Sequence, residues 1–286
     1  MLKSLKSCAA VPCRFYLKES KSIPENSLSH ELELATSAAK DAGKIILKYF
    51  KKDYCVHDKG HKNPVTPADL EADAFLRKTL LGEFPGDGWL SEETKDSTER
   101  LFKKRIWVVD PLDGTRDFIA GRPEFVVSIA LVEDTKPVIG INYNPVTEEL
   151  FTAVKNKPSQ LNGSVISCST KQQLNDSTIY VSRSETRAGL WEQYKDLFKR
   201  RVVCGSVAYK LAHIAAAHGD LFVSLKPKND WDICAGDLIV RNAGGITVNR
   251  KSDTRRYNTA NPFVPHGLIA GPSQLVKRAL PYFKIN

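Results

Sequence analysis

The 286-residue chain has no long hydrophobic run, since no apolar stretch approaches the about 18 residues that a membrane-spanning helix needs. It also has no C-x-x-C pair among its six cysteines, and no cysteine–histidine cluster with the sequence spacing of zinc ligands. These absences argue against a membrane partner and against a disulfide framework. They favour isolated, reduced thiols in an intracellular protein.

Basic stretches interleaved with aromatic residues, which single-stranded nucleic-acid binders need, are also missing. The net charge of +9 is therefore expected to attract a small anion and not a nucleic acid. Residues 1–29 carry +3 of this charge and lack the apolar core of a secretory signal. We predict a flexible or targeting tail there. A cytoplasmic location is expected, with organelle targeting by the tail left open.

Hydrophobic periodicity predicts two helices at the start of the organised region, near His30. One apolar helical face runs from Ala35 to Tyr49, and a second helix is predicted after Thr66 as N-cap, with Pro67 in its first turn. Four neighbouring and mostly antiparallel strands are predicted next, at residues 106–109, 125–132, 138–143 and 149–154. Residues 30–175 are thus predicted to form an N-terminal α+β half.

Beyond Gln173, short predicted strands alternate with predicted helices, and this alternation is typical of an α/β arrangement. Residues 176–286 are therefore predicted to form a C-terminal α/β half. The strands are placed at 178–181, 202–203 and 221–223, and the helices at 190–198, 206–217 and 233–242.

The stretch IWVVDPLDGTRDF places Asp110 where a buried strand emerges and Asp113 three residues later. Pro111 disfavours helix at Asp110, and Asp113 is a candidate N-cap for a following helix. A helix N-terminus attracts an anion, but two carboxylates would repel it unless divalent cations lie between them. Oxygen ligands without Cys or His favour Mg²⁺. A simple Asp-capped helix explains these two residues equally well.

Two further segments carry acidic residues beside aromatic or apolar ones. WLSEET contains Glu92 and Glu93, with no obvious basic partner nearby in sequence, and NDWDICAGD has Asp232 at a predicted helix start. Taken alone, each segment has a plain explanation: glutamate pairs are usually solvated, and Asp232 could simply be the cap of its helix.

In order, the segments VTPAD, SEE, DPLDGT and WDICAG resemble the inositol monophosphatase superfamily of Mg²⁺-dependent, lithium-sensitive phosphomonoesterases, over about residues 30–275. The resemblance implies a layered αβαβα sandwich, in which residues 30–175 bind metal and residues 176–286 complete the substrate site. It implies two or three Mg²⁺ ions that activate a water and neutralise phosphate charge. The implied metal ligands are Glu92, Asp110, the Leu112 carbonyl, Asp113 and Asp232.

The same resemblance implies roles in catalysis and in substrate binding. Asp69 and Thr115 match the pair that orients and deprotonates the attacking water, and the N–H groups of Gly114 and Thr115 would hold phosphate oxygens. The turn at Gly205 and Ser206 would contact the non-reacting part of the substrate. The expected partner is a small phosphorylated metabolite, and a homodimer is one assembly found among relatives.

One departure from the family bears on the substrate. Where inositol monophosphatases have a glutamate, this chain has Ser224 and Leu225, followed by Lys226 and Lys228. The two lysines suit a second phosphate, although a solvated loop explains them equally well. With VSRSE, they resemble the 3′(2′),5′-bisphosphate nucleotidase branch. The first interpretation is hydrolysis of 3′-phosphoadenosine 5′-phosphate to AMP and phosphate, and the alternative is an inositol-1-monophosphatase.

Two other classes fit the motifs less well. Haloacid-dehalogenase-type phosphatases use a D-x-D motif whose first aspartate attacks phosphorus, whereas this chain has D-x-x-D with Pro111 after the first aspartate. A noncatalytic binding module is disfavoured because every ligand that the resemblance implies is present.

Overall fold

The computed structural model describes residues 28–60 and 63–285, so the predicted tail at 1–29 falls outside the described residues except for Leu28 and Ser29. The helices are α1 (Ser29–Tyr49), α2 (Pro67–Glu83), α3 (Thr115–Ile119), α4 (Arg183–Arg187), α5 (Val207–Ala215), α6 (Asp230–Asn242) and α7 (Ser273–Phe283). No helix in the described part of the chain is both long and apolar enough to cross a membrane.

The strands form two large sheets and two short pairs. The first eight are β1 (His57–Asp58), β2 (Pro64–Val65), β3 (Gly88–Ser91), β4 (Arg105–Asp113), β5 (Val126–Glu133), β6 (Lys136–Asn144), β7 (Glu149–Val154) and β8 (Gln160–Leu161). The others are β9 (Ser164–Val165), β10 (Thr178–Ser182), β11 (Arg200–Cys204), β12 (Leu221–Ser224), β13 (Lys228–Asn229), β14 (Gly245–Val248), β15 (Phe263–Val264) and β16 (Leu268–Pro272).

The first large sheet has seven strands in sequence order from β3 to β9. Its β3–β4 pair is parallel and the other pairs are antiparallel. This agrees with the prediction of neighbouring, mostly antiparallel strands. The second sheet has five strands in the order β11-β10-β12-β16-β14 and mixes parallel with antiparallel pairs. The pairs β1–β2 and β13–β15 form two separate ribbons.

The sheets and helices stack in five layers because each large sheet buries both faces. Helices α1 and α2 pack on one face of the seven-stranded sheet, and α5 and α6 lie between the two sheets. Helix α7 covers the outer face of the five-stranded sheet. The predicted αβαβα sandwich is confirmed, with a mostly antiparallel sheet and two long helices in the N-terminal part.

Strand β4 shows how this layering follows from side-chain alternation. Trp107 and Val109 pack in the cluster under α1 and α2, whereas Ile106 and Val108 pack in the cluster around α5 and α6. Successive residues of a strand point to opposite faces, so a strand buried on both faces is a continuous apolar run. The run of apolar residues before Asp110 is therefore a central strand.

The helix predicted at residues 190–198 is wrong. Among these residues the structure has only a single 3₁₀ turn, Glu192–Tyr194. The segment follows Gly189, whose φ is +73°, and Trp191 and Tyr194 pack against the Phe283 ring. In addition, the Arg201 side chain donates to the Trp191 carbonyl. Tertiary packing of aromatic side chains therefore replaces the helix that the periodicity favoured.

Close packing of α6 on β6 predicts opposite effects for two glycine substitutions. A Cβ at Gly140 would lie 2.6 Å from the Ala235 carbonyl oxygen, whereas a Cβ at Gly82 in α2 would meet no atom within 4 Å. We expect Gly140→Ala to lower the free energy of unfolding by about 1–3 kcal/mol, a typical cost of overpacking. Gly82→Ala should raise it by about 0.5–1 kcal/mol. Urea unfolding of both variants measures the difference, and equal effects would contradict this packing.

Candidate metal centre

A bulge in β4 brings Asp110 and Asp113 to the same side of the seven-stranded sheet. Asp110 pairs with Ser128 and Asp113 with Val126, so three steps along β4 face two steps along β5. With regular alternation, residues three apart would point to opposite faces. The extra residue reverses the alternation, and both carboxylates face the layer that contains α5 and α6.

Asp110 is deeply buried, with 2% of its surface exposed. Its Oδ1 accepts a hydrogen bond of 3.0 Å from the Leu112 N–H. Its Oδ2 has no hydrogen-bond partner among the described residues. Burial, and then the charges of Glu92, Asp113 and Asp232, raise the pKa of Asp110 well above its ordinary value. A buried, unpartnered carboxylate oxygen in this setting is satisfied by a proton or by a cation.

Asp113 is not the N-cap of a helix, so that prediction is wrong. It belongs to β4, and the residue before α3 is Gly114 with a φ of +109°. Its Oδ2 accepts from the Ser206 hydroxyl at 2.6 Å and from the Ala208 N–H at 2.5 Å. Burial raises the pKa of Asp113, and these two hydrogen bonds oppose that shift. The bulge extends the strand through Asp113, and the start of α5 then orients its carboxylate.

Asp69 and Asp232 occupy the same position, N3, in the capping boxes of α2 and α6. Asp69 Oδ2 accepts from the Thr66 N–H at 2.8 Å, and Asp232 Oδ2 accepts from the Asn229 N–H at 2.7 Å. A capping box commits one carboxylate oxygen to the backbone. Each Oδ1 can then face the centre, so capping and ligand binding are compatible in one side chain.

Glu92 and Glu93 do have a basic partner, although none is near them in sequence. The Lys59 ammonium lies 3.0 Å from Glu92 Oε1 and 2.8 Å from Glu93 Oε1. Burial raises the pKa of Glu93 to about 7, against the opposing hydrogen bond from Lys59. Lys59 directly follows β1, in the polar and charged segment between α1 and α2. Its role was missed because the contact spans 33 residues.

Asp69 and Thr115 are in direct contact at the edge of the centre. The Thr115 hydroxyl lies 2.9 Å from Asp69 Oδ1 and 3.1 Å from the Leu112 carbonyl oxygen, so its one proton can go to either acceptor. Burial raises the pKa of Asp69, and hydrogen bonds from Thr66 and Thr115 oppose the shift. Thr115 and the Leu112 carbonyl thus lie beside a buried carboxylate that can accept a proton.

The residues predicted to touch substrate are not equivalent. A Cβ at Gly205 would lie 1.9 Å from Asp117 Oδ2, so only glycine fits there. The Ser206 hydroxyl is directed at Asp113, and Ser206 has an unusual φ of +38°. Lys228 is half-buried and its charge lowers the raised pKa of Asp232, whereas Lys226 is exposed. Lys228 is therefore the lysine of the pair that acts electrostatically on the centre.

The donor set fits Mg²⁺. Glu92, Asp110 and Asp232 each offer one carboxylate oxygen, and these three oxygens lie within 4.8 Å of one another. No Cys or His belongs to this group, and an all-oxygen set suits a hard divalent cation. Burial and then the charges of Asp113 and Glu92 raise the pKa of Asp232 to about 7. A divalent cation would relieve this mutual repulsion.

Comparison with known proteins gives consistent matches over nearly the whole chain. The family model described as inositol monophosphatase family matches residues 27–281. Inositol monophosphatase 3 of Solanum lycopersicum is 36% identical, over 78% of this chain and 87% of that protein. Nus factor SuhB of Escherichia coli strain K12 is 33% identical, over 87% of this chain and 94% of that protein. An inositol monophosphatase structure from Zymomonas mobilis matches with a TM-score of 0.75 and 29% identity, over 91% and 99%.

Carboxylate repulsion in the centre predicts that neutralising Asp110 stabilises the metal-free protein. We expect Asp110→Asn to raise the melting temperature in EDTA, by about 2–4 °C for each kcal/mol of repulsion removed. The rise in melting temperature that Mg²⁺ causes in the wild type should shrink in the variant. Differential scanning calorimetry with EDTA and with Mg²⁺ measures both effects.

Asp237→Asn is the matched control. Asp237 is also buried, but Tyr257 and Arg241 donate hydrogen bonds to its Oδ2 at 2.8 and 2.9 Å. Its neutralisation should lower the melting temperature because Arg241 loses its charged partner. If both variants lose stability alike, Asp110 is an ordinary structural carboxylate.

Proposed function

Because this chain belongs to the inositol monophosphatase family, and is therefore a metal-dependent phosphatase, we propose that it hydrolyses inositol monophosphate. The observation that carries the proposed site is the buried Asp110 oxygen without a partner, beside three other carboxylates and the Asp69–Thr115 pair. Similarity to relatives named inositol monophosphatase supports the substrate. A homodimer and the absence of a nucleic-acid partner stay predictions.

The proposed metal ligands are Glu92, Asp110, the Leu112 carbonyl, Asp113 and Asp232, for two or three Mg²⁺ ions. When bound, Mg²⁺ supplies Lewis-acid neutralisation of phosphate charge and makes a water more acidic. The chain holds these ligands in place with its own hydrogen bonds. The start of α5 orients Asp113 through Ser206 and Ala208, and the capping box of α6 orients Asp232.

Asp69 and Thr115 are proposed to position the attacking water and to remove its proton. Water attacks phosphorus as the ester P–O bond breaks, and the leaving alkoxide takes up a proton. Thr115 can accept a hydrogen bond from the water while its own proton is directed at Asp69. The raised pKa of Asp69 makes it a better proton acceptor than an ordinary carboxylate. The N–H groups of Gly114 and Thr115 are proposed to hold phosphate oxygens.

The sequence motifs favoured the bisphosphate nucleotide as first substrate, whereas the named relatives and the positions of the two lysines favour inositol monophosphate. Lys226 is exposed. Its backbone N–H, and not its ammonium group, donates a hydrogen bond to Glu185 Oε1 at 3.0 Å. The charge of Lys228 opposes the raised pKa of Asp232. One lysine near the centre supports 3′-phosphoadenosine 5′-phosphate as the second candidate, since it could hold an additional phosphate.

A direct comparison of substrates tests this order. We expect the wild type to hydrolyse inositol 1-phosphate with a kcat/KM at least tenfold above that for 3′-phosphoadenosine 5′-phosphate, measured as phosphate release. Lys228→Ala should raise the KM for the bisphosphate nucleotide by about tenfold, which corresponds to one charge-assisted contact. Lys226→Ala removes an identical side chain and is the matched control. It should raise the KM for the bisphosphate nucleotide much less. A wild-type preference for the nucleotide would overturn the lead substrate and leave the metal mechanism intact.

Removal of divalent ions tests the mechanism separately from the substrate. Turnover of either substrate should stop in EDTA and return with added Mg²⁺, because the carboxylates alone repel a phosphate. Li⁺ is expected to inhibit by competing for a cation position near Asp110, Asp113 and Asp232. Phosphate release should be followed at several Mg²⁺ concentrations. Full turnover after exhaustive chelation would refute the role of the acidic centre.

A further inference from the structure

A second cluster of potential metal ligands lies outside the acidic centre. Glu149 at the start of β7, His213 on α5 and His218 after α5 each offer one ligand atom, and these atoms lie within 4.8 Å of one another. Glu149 and His213 are half-buried and His218 is exposed, so solvent reaches the cluster. The phosphatase mechanism uses none of these residues.

The end of α5 brings the two histidines together. The backbone N–H of His218 donates to the His213 carbonyl, and the backbone N–H of Ala217 donates to the Ile214 carbonyl. Ala217 has a φ of +56°. These bonds form a Schellman motif, in which the chain reverses and its outer residue packs on the last turn. The two imidazole rings have centroids 4.9 Å apart. Local backbone geometry therefore presents both rings to one side.

His213 is oriented as metal-ligating histidines usually are. Its Nδ1 lies 3.1 Å from the Tyr180 hydroxyl, and its Nε2 is buried without a hydrogen-bond partner in the described part of the chain. The nearest carboxylate atom, Glu149 Oε2, lies 3.9 Å from Nε2. A proton on Nδ1, donated to the Tyr180 oxygen, leaves the Nε2 lone pair directed at the cluster. An outer hydrogen bond of this kind fixes tautomer and ring orientation.

Hydrogen bonds fix the third ligand, Glu149, beside the two imidazole rings. Glu149 Oε2 accepts from the Tyr209 hydroxyl at 2.5 Å and from the Thr147 hydroxyl at 2.7 Å, and it lies 3.9 Å from His213 Nε2. Neutral donors orient this carboxylate without cancelling its charge, so it can serve as a ligand.

We propose that Glu149, His213 and His218 form a binding site for Zn²⁺, separate from the acidic centre. Two imidazole nitrogens and one carboxylate are a donor set that zinc accepts and Mg²⁺ does not prefer. Water would complete the coordination on the exposed side. Bound zinc would tie the C-terminal end of α5 to the seven-stranded sheet. The other end of α5, roughly 10 Å away at 1.5 Å per residue, contacts Asp113.

Calorimetric titration of the full chain with Zn²⁺ tests this site, in a Cys8→Ser, Cys13→Ser, Cys55→Ser background. These changes remove the one exposed thiol among the described residues and the two cysteines that lie outside them. We expect one class of binding that survives Asp110→Asn and is lost in His218→Ala. Tyr180→Phe, which removes only the outer hydrogen bond, should weaken this class by about 10–100-fold. Anomalous diffraction at the zinc edge should place an ion between the three side chains.

His30→Ala is the matched control, since His30 pairs with Glu83 at 2.8 Å but belongs to no group of three potential metal ligands among the described residues. It should leave the zinc isotherm unchanged. The proposal is overturned if His218→Ala binds zinc as the wild type does, if His30→Ala loses the same class, or if all zinc binding disappears with Asp110→Asn. Each of these outcomes leaves the phosphatase assignment untouched, because the titration contains no substrate.

Discussion

Mutual repulsion among buried carboxylates is the constraint on which the rest of this structure depends. Asp110, Asp113 and Asp232 all have raised pKa values, with burial as the largest cause and neighbouring carboxylates among the others. The positive charges of Lys59 near Glu92, of Lys210 acting on Asp113 and of Lys228 acting on Asp232 do not cancel these shifts. The arrangement therefore weakens the metal-free fold and favours the protein with a divalent cation. In the proposed mechanism, metal binding and instability of the metal-free fold arise from the same side chains.

Hydrogen bonds from backbone N–H groups hold these carboxylates in place. Asp69 and Asp232 occupy equivalent positions in two capping boxes, and Asp113 is held by the first turn of α5. Neutral donors orient a carboxylate without cancelling its charge, which leaves it able to attract a cation. Ser206 adopts a φ of +38° at the start of α5, where its hydroxyl meets Asp113. Such a backbone conformation persists only where surrounding contacts enforce it.

Helix α5 connects the parts of the molecule that matter most. Its start contacts Asp113, its buried face packs between the two sheets, and its end carries the proposed zinc ligands. The sequence predicted a helix there, at residues 206–217, from the spacing of its apolar residues. It did not predict the charged contacts at either end, because Asp113 and Glu149 lie far from α5 in sequence. A helix is a local property, whereas its partners depend on the whole chain.

By itself, the sequence determined the central strand before Asp110 and the capping of α2 by Thr66, because periodicity and capping act over a few neighbouring residues. The layered fold was indicated by the family resemblance of its motifs. It also marked the acidic segments, although capping and metal binding remained equal explanations for Asp110 and Asp113. Tertiary structure showed where these side chains lie: a one-residue bulge turns Asp113 toward Asp110, and α6 holds Asp232 in its capping box while bringing it close to Asp110. It likewise replaced the expected helix at residues 190–198 with aromatic packing on Phe283, and it paired Lys59 with Glu92. Strand register and long-range charge pairing depend on contacts between distant segments, and no local pattern encodes those contacts.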